Sequence, residues 1–397
     1  MVSIVRRLAR PVVILIIATS LAGCVRPASA PPATSDAVST TVADQQVPAG
    51  SVISVTQVTS ASTAAVEVTA QLSPTLPPPT PAPNFPPEHP LTLIPLAGPL
   101  SASEAEVSGL AWYGDSLVFL PQYPERFGAA EYSGAVFVLD KTEILAFLDG
   151  GSQAPLQPRP VPFDSGGLSE DIPGYEGFEA IAFSGDQFFV TIEASPDGMQ
   201  GYLAGGSVSP DLAGLRLNPN RLAAIQPQAA IPNLSDESIV LFGDMLLTLY
   251  EANGTAVNPQ PVAHLFDSEL ALRNQLAFPN IEYRLTDATP ADDLGRFWAI
   301  NTFYIGDASL YPLADPIADQ YGKGLTHTAS PVVERLLQFQ FTEQGVVLAE
   351  APPLQLKLAA DGQTRNWEGI ARLDDGGFLL VSDEHPQTLF AFVPIAP

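Results

Sequence analysis

Apolar and polar positions alternate in the same way in four stretches: SGLAWYGDSLVFLPQYPE from Ser108, EAIAFSGDQFFVTIEASP from Glu179, ESIVLFGDMLLTLYEANG from Glu237 and EGIARLDDGGFLLVSDEHP from Glu368. Each is an apolar run, a polar break and a second apolar run, the pattern of two antiparallel strands joined by a tight turn. In the first three the break is Gly-Asp, at Gly114-Asp115, Gly185-Asp186 and Gly243-Asp244. Glycine first in a two-residue loop suits a type II′ turn. The fourth copy breaks at Asp374 to Gly377 and is one residue longer.

The turn sets the register. With the loop six and seven residues after the first position, that position and the residue fourteen further on meet at the open end of the hairpin. Glu179 is therefore expected beside Glu193, Glu237 beside Glu251 and Glu368 beside Asp383, with Ser108 and Gln122 in the first copy. A fifth, diverged copy is expected from IEYRLTD near Glu282, through the long loop ATPADDLG, and back as RFWAINTF with Asn301 in the second position.

Further strand-like runs follow the hairpins, such as GAVFVLDKTEI then LQPRPVPF, and PVAHLFD then RNQLAFPN. Four antiparallel strands per unit make the blade of a β-propeller. The last unit shows a third strand, TLFAFVP, and the segment 91–97, LTLIPLA, is expected to supply its fourth and close the ring. The expected fold is all-β, a β-propeller of four-stranded antiparallel blades. Five blades are favoured, with six as the alternative, at roughly 60 residues per unit over 91–397. No segment keeps a 3.6-residue apolar period, so helices should be few.

Ahead of this domain, Arg6, Arg7 and Arg10 precede the apolar run PVVILIIATSLAG, which has the form of an export signal over residues 1–23. The residues LAGC at 21–24 resemble the bacterial lipobox, which implies cleavage and lipidation of Cys24. An uncleaved anchor and an ordinary secretory signal are the alternatives. Cys24 is the only cysteine, so an exported chain has no internal disulfide. Residues 24–90 are rich in Ser, Thr, Ala, Val and Pro and close in SPTLPPPTPAPNFPPEHP, the composition of an extended tether. The expectation is an extracytoplasmic monomer held to a membrane by its N-terminal lipid, with the propeller at 91–397.

The chain carries 43 acidic against 17 basic residues, a net charge of −26. That excess argues against nucleic acid as a partner, because binding it depends on clustered Lys and Arg. First strands of propeller blades line a central channel, so Glu179, Glu237 and Glu368 are expected to face one another across its mouth. Like charges held close in a partly desolvated space either take a proton or gather round a cation. Rings of oxygen ligands suit Ca²⁺, so Glu179, Glu193, Glu237, Glu251, Glu368 and Asp383 are the expected metal ligands. Zinc is disfavoured: His89, His264, His327 and His385 lack ligand spacing and no second thiol exists. Solvation at the rim, or hydrogen bonds from the neighbouring blade, are the alternatives for these acids.

The segments SGLAW, EGFEAIAF, VERLLQFQF and NWEGIARLDDGGFLLVSDEHPQTLFAF together resemble the phytase-like (esterase-like activity of phytase) β-propeller family and the related SdiA-regulated periplasmic propellers. The resemblance implies a propeller, an extracytoplasmic setting, calcium, and hydrolysis of an ester or phosphoester. Glu179 and Glu368 match the family's EGIA-type glutamate, and Ser108, Gly109 and Leu110 match its SGL element. Phosphoester hydrolysis needs cationic groups on the phosphoryl oxygens; Arg126, Lys323, Arg335, Arg365 and Arg372 are the candidates, with surface charge or ion pairing as the alternative for each. Lys323 and Arg365 are carried forward as catalytic candidates, together with His385 as a general base two residues after Asp383. Ser108 lies in no GxSxG elbow, and Trp112, Trp298 and Trp367 read as packing between blades. With only three lysines, a strongly anionic substrate meets repulsion unless calcium bridges it. The second reading is a non-catalytic propeller that binds a glycan, peptide or protein partner at the cell surface.

Mass spectrometry of the mature protein is expected to find an acylated Cys24 at the N-terminus; an intact Arg6 or an unmodified Cys24 contradicts the lipoprotein assignment.

Overall fold

A computed structural model describes residues 85–303, 306–307, 310, 312–383 and 387–395. Cys24, the signal segment, the tether up to residue 84 and His385 lie outside the described residues.

The chain enters as two short strands, β1 (Glu88–His89) and β2 (Thr92–Leu93). Four-stranded meanders follow. The first has β3 (Val107–Tyr113), β4 (Ser116–Pro121), β5 (Gly134–Asp140) and β6 (Arg159–Asp164), and the second has β7 (Tyr175–Ser184), β8 (Gln187–Ala194), β9 (Gln200–Val208) and β10 (Leu215–Ile225). The third has β11 (Asp236–Phe242), β12 (Met245–Tyr250), β13 (Val262–Asp267) and β14 (Leu272–Ala277). The fourth is irregular: β15 (Arg284–Ala288), β16 (Arg296–Phe303) and β17 (Val333–Thr342), with β18 (Gly345–Leu348) and β19 (Leu354–Leu356) both paired to β17. The last has β20 (Trp367–Leu373), β21 (Gly377–Ser382) and β22 (Phe390–Pro394).

The five hairpins expected from sequence are thus β3–β4, β7–β8, β11–β12, β15–β16 and β20–β21. Gly114, Gly185 and Gly243 open two-residue loops with φ of 58°, 58° and 62°, while the aspartates after them keep negative φ, as a type II′ turn requires. First strands pack on one another in the order β3, β7, β11, β15, β20 and back to β3, a closed, propeller-like cycle.

Both faces of the second strands are buried, which explains why they read as unbroken apolar runs rather than alternating ones. In β4, Val118 and Leu120 pack with Phe178 and Val190 of the second unit, while Leu117 and Phe119 pack with Leu379 and Phe390 of the last.

Two features depart from expectation. The closing strand is shorter than 91–97: β2 runs antiparallel to β22 through Thr92↔Phe392 and Leu93↔Ala391 and completes the last sheet. Ordered pairing begins before residue 91, since β1 lies parallel to β19, and Glu88 accepts hydrogen bonds from Thr326 and His327. The first two units are also joined into one eight-stranded sheet by parallel pairing of β6 and β10.

Crowding near the axis accounts for the glycines of the repeat. A Cβ on Gly369 would stand 2.6 Å from Val381 Cγ1 and 2.9 Å from Leu110 Cβ, and one on Gly109 would meet the backbone of Glu179 to Ile181. Gly369→Ala is expected to cost about 1–3 kcal/mol through overpacking, read as a lower urea midpoint at unchanged m-value; a wild-type midpoint contradicts the close approach of β20 and β3.

Candidate functional site

The repeat places a β-bulge at the same position in its hairpins. Pairing slips between Val107 and Gly109, between Phe178 and Ile181, between Asp236 and Ser238, and between Trp367 and Gly369. The residues left out of the ladder are Ser108, Glu179 with Ala180, Glu237 and Glu368. A bulge re-aims the side chain of the extra residue, and here Ser108, Glu179, Glu237 and Glu368 line one cavity of about 400 Å³ at the open end of the hairpins. At the second bulge the Ala180 N–H donates to Thr191 Oγ1 at 3.0 Å, a substitute for the lost ladder bond.

The same cavity takes in Glu106, Gln122, Glu176, Glu193, Arg284, Asn366 and Asp383. Five of the six expected ligands therefore converge, and the sixth, Glu251, is wholly buried beside the cavity. Register differs from the simple expectation, since Glu193 stands opposite Gly177 rather than Glu179; the bulge accounts for the slip. Ser108 donates to the Phe178 carbonyl at 2.6 Å and ties β3 to β7, so its hydroxyl proton is committed to structure.

Arg284 is the residue that sequence reasoning missed. It stands at the start of β15 in the diverged copy and is 9% exposed. Its Nε donates to Glu251 Oε1, Nη2 lies 3.7 Å from Glu237 and 3.6 Å from Glu368, and Nη1 lies 3.8 Å from Asp307. Glu282, expected to open this copy, instead accepts from the Thr255 N–H. Asn301 serves the framework, donating to the Glu282 and Arg284 carbonyls and accepting from Arg335 Nε at 2.7 Å. The only sequence signal for Arg284 was a basic residue in a first strand of a chain poor in basic residues.

One guanidinium among so many carboxylates leaves a deficit of positive charge. Burial, then Glu193 and Glu237, hold the Glu179 carboxyl well above the usual range. Burial does the same to Glu237 against the pull of Arg284. Glu193 is pushed up to about 7 by burial and by Glu176. Burial raises Glu368 to about 8, opposed by Arg284 and reinforced by Asp383 and Glu179. Burial would lower Arg284, but Glu368, Glu237, Asp307 and Glu193 outweigh it and raise its pKa. Glu176 Oε2, Glu193 Oε1, Glu237 Oε2 and Glu251 Oε2 are buried oxygens with no hydrogen-bond partner. Among the described residues no three His, Cys, Asp or Glu side chains come close enough together to hold a metal ion as placed.

The expected cationic groups are elsewhere or already paired. Arg126 pairs with Glu106 at the lip, at 2.5 Å. Arg365 donates to Glu334 at 2.6 Å and stacks on Trp367, and Arg335 pairs with Asp315 at 2.9 Å. Lys323 lines a separate small cavity with His327 and Asp315, and Arg372 lies at the turn end of β20 beside Asp375. The structure therefore does not bring Lys323 and Arg365 to the carboxylates.

No protein-family model and no curated protein sequence matches the chain. Similar solved structures include a glucose dehydrogenase, 12% identical over 77% of this chain and 99% of its own, with a TM-score of 0.39. The glutaminyl cyclase of Myxococcus xanthus is 13% identical over 78% of this chain and 99% of its own, at 0.39. An exo-β-1,3-galactanase of Phanerochaete chrysosporium is 6% identical over 78% of this chain and 64% of its own, at 0.42. Similarity at this level assigns no activity.

Acids with raised folded-state pKa values contribute stability that is full below their unfolded value near 4.5 and is lost as pH rises through the folded one. In EDTA the protein is expected to lose stability between pH 5 and pH 8, as Glu193 and Glu368 are forced to ionise. Arg284→Met should cost about 3–5 kcal/mol at pH 8 by leaving buried charges unpaired, and far less at pH 5, where the carboxyls carry their own protons. Urea unfolding at the two pH values tests this; equal losses contradict the counter-ion role.

Proposed function

We propose that the described domain is a five-bladed β-propeller, exported and held to a membrane through lipid on Cys24, whose acid-lined end is a calcium-dependent ligand-binding site. The five first strands that pack in a closed cycle support the blade count, with β2 as the closing strand. The observation that carries the functional reading is the set of buried, unpartnered carboxylate oxygens around a single arginine. Hard oxygen donors in surplus negative charge fit Ca²⁺, which accepts six to eight oxygens in irregular geometry. Glu179, Glu193, Glu237 and Glu368 would hold it by drawing closer than their present spacing, with Asp383 and Glu251 at the margins. A bound calcium would supply open positions for the oxygens of a hydroxyl-rich or carboxylate ligand.

The chain's own residues prepare that site. Gln122 Nε2 donates to Glu179 Oε1 at 3.0 Å and orients it, and Arg284 neutralises the Glu251 side, so the charge deficit is concentrated on the side of Glu179 and Glu193. Glu193 and Glu368, held protonated by burial, would have to ionise to hold the cation. A carboxyl that titrates near neutrality beside other carboxylates also suits general acid catalysis, which favours, as second reading, hydrolysis of a neutral ester or glycosidic bond. A phosphoester is less well served, because among the described residues the one basic side chain lining the cavity, Arg284, is already paired with carboxylates.

Thermal unfolding in EDTA and in graded calcium, at pH 5.5 and pH 8, tests the first reading. Calcium at about 100 times its dissociation constant adds roughly 2.7 kcal/mol, so the midpoint should rise, more at pH 8 than at pH 5.5. Glu179→Gln and Glu368→Gln should each reduce the shift. An unchanged midpoint at pH 8 in millimolar calcium rules the reading out.

A further inference from the structure

The first strands run from the carboxylate cavity at their bulges to the Gly-Asp turns, and a second cavity opens at the turn end. It encloses about 620 Å³, within the range of small-molecule sites. Its floor repeats like the carboxylates do: Leu110, Ile181, Ile239 and Ile370, each two residues after the bulged position, come from four different first strands and are nearly inaccessible. Two residues further along, Trp112 and Phe183 form walls, and Trp298 of β16 forms another.

The two cavities are separate. Asp287, buried near the axis, accepts the Ile370 N–H and the Ala288 N–H, both at 2.8 Å, and a further backbone bond from Leu110. It thus ties β15, β20 and β3 together between the acid end and the turn end.

The walls are held in place before any ligand arrives. Trp112 Nε1 donates to the Arg372 carbonyl at 2.8 Å, with Lys141 5.7 Å from its ring, and Trp298 packs edge-on against Phe378 at 5.4 Å. Fixed aromatic faces supply contact area at little entropic cost. Charges at the rim are already satisfied by one another: Lys141 with Asp374, Arg372 with Asp375 at 3.4 Å, and Arg296 with Asp292 at 2.8 Å. A charged ligand would have to break one of these pairs to gain a counter-ion, whereas a neutral apolar one gives up no hydrogen bond on entering. On the Trp298 side, beyond the Arg296–Asp292 pair, the polar groups are the Gln338 amide and the Thr289 hydroxyl, and the hydroxyl is already engaged, accepting the Trp298 N–H at 3.1 Å and donating to the Pro290 carbonyl at 3.2 Å.

We propose that this turn-side cavity is a binding site for a flat, uncharged, largely apolar molecule, an aromatic or fused-ring compound with at most a single hydrogen-bonding group directed to Gln338. The site is independent of the calcium reading.

The neutral fluorophore N-phenyl-1-naphthylamine, titrated into the full mature chain with excitation of tryptophan, provides the test. Saturable, one-to-one enhancement with energy transfer is expected, displaced by naphthalene and unchanged by calcium or EDTA. Ala291→Trp, at a partly exposed loop position lining the cavity, should weaken binding at least tenfold by filling it. Trp298→Ala should do the same by removing a wall, and the unfolding midpoint of each variant shows whether it is folded. Absence of saturable binding, or wild-type affinity in Ala291→Trp with a wild-type midpoint, overturns the proposal.

Discussion

An extra residue in the first strand of each repeated hairpin, facing a ladder that cannot accommodate it, is the constraint on which the acid cavity depends. In an unbroken antiparallel ladder successive side chains go alternately to the two buried faces of the sheet, and a glutamate there would be driven into an apolar interface. The bulge takes Ser108, Glu179, Glu237 and Glu368 out of that alternation and directs them to the end of the channel. The residues that follow return to register, so Leu110, Ile181, Ile239 and Ile370 can close the channel beneath them. One backbone device thus separates a charged end from an apolar end within a few residues.

The cost of that arrangement is electrostatic, and the chain meets part of it from within. In the diverged fourth unit the register shift falls between Leu285 and Ala288, so Thr286 and Asp287 stand where the other units carry a glutamate or serine; Arg284, paired just ahead of it, reaches Glu237, Glu251 and Glu368, acids borne by two other units. Buried charges of this kind hold structure only while they are compensated. Compensation is incomplete on the side of Glu179 and Glu193, and that imbalance raises the affinity of these carboxyls for protons. Irregularity in one unit and chemistry in the others are in this sense the same fact.

Much of this was legible in the chain. The Gly-Asp turns located the hairpins and their open ends, because a two-residue loop leaves little freedom in register. Strand counts per unit followed from apolar runs, and the gathering of Glu179, Glu193, Glu237, Glu368 and Asp383 followed from repetition. The bulge itself was invisible, since it depends on close approach between neighbouring first strands, where Gly109 and Gly369 leave room for backbone. Arg284 escaped because a lone arginine in a strand has no periodic signature. Arg365 was misplaced for a similar reason: Glu334, which binds it, lies 31 residues away in sequence. The parallel β6–β10 joint also joins residues with no shared pattern.

Where the chain enters the domain has a mechanical consequence. β1 adds to the fourth unit through two rungs to β19, and β2, only a few residues later, adds to the last unit through two rungs to β22. Tension applied from the N-terminal side is therefore borne first by β1 and by the Glu88 contacts to Thr326 and His327. The strand that closes the ring is loaded only after these have given way, so the segment ahead of it acts as a strain relief that isolates the closure from a pull on the N-terminal segment.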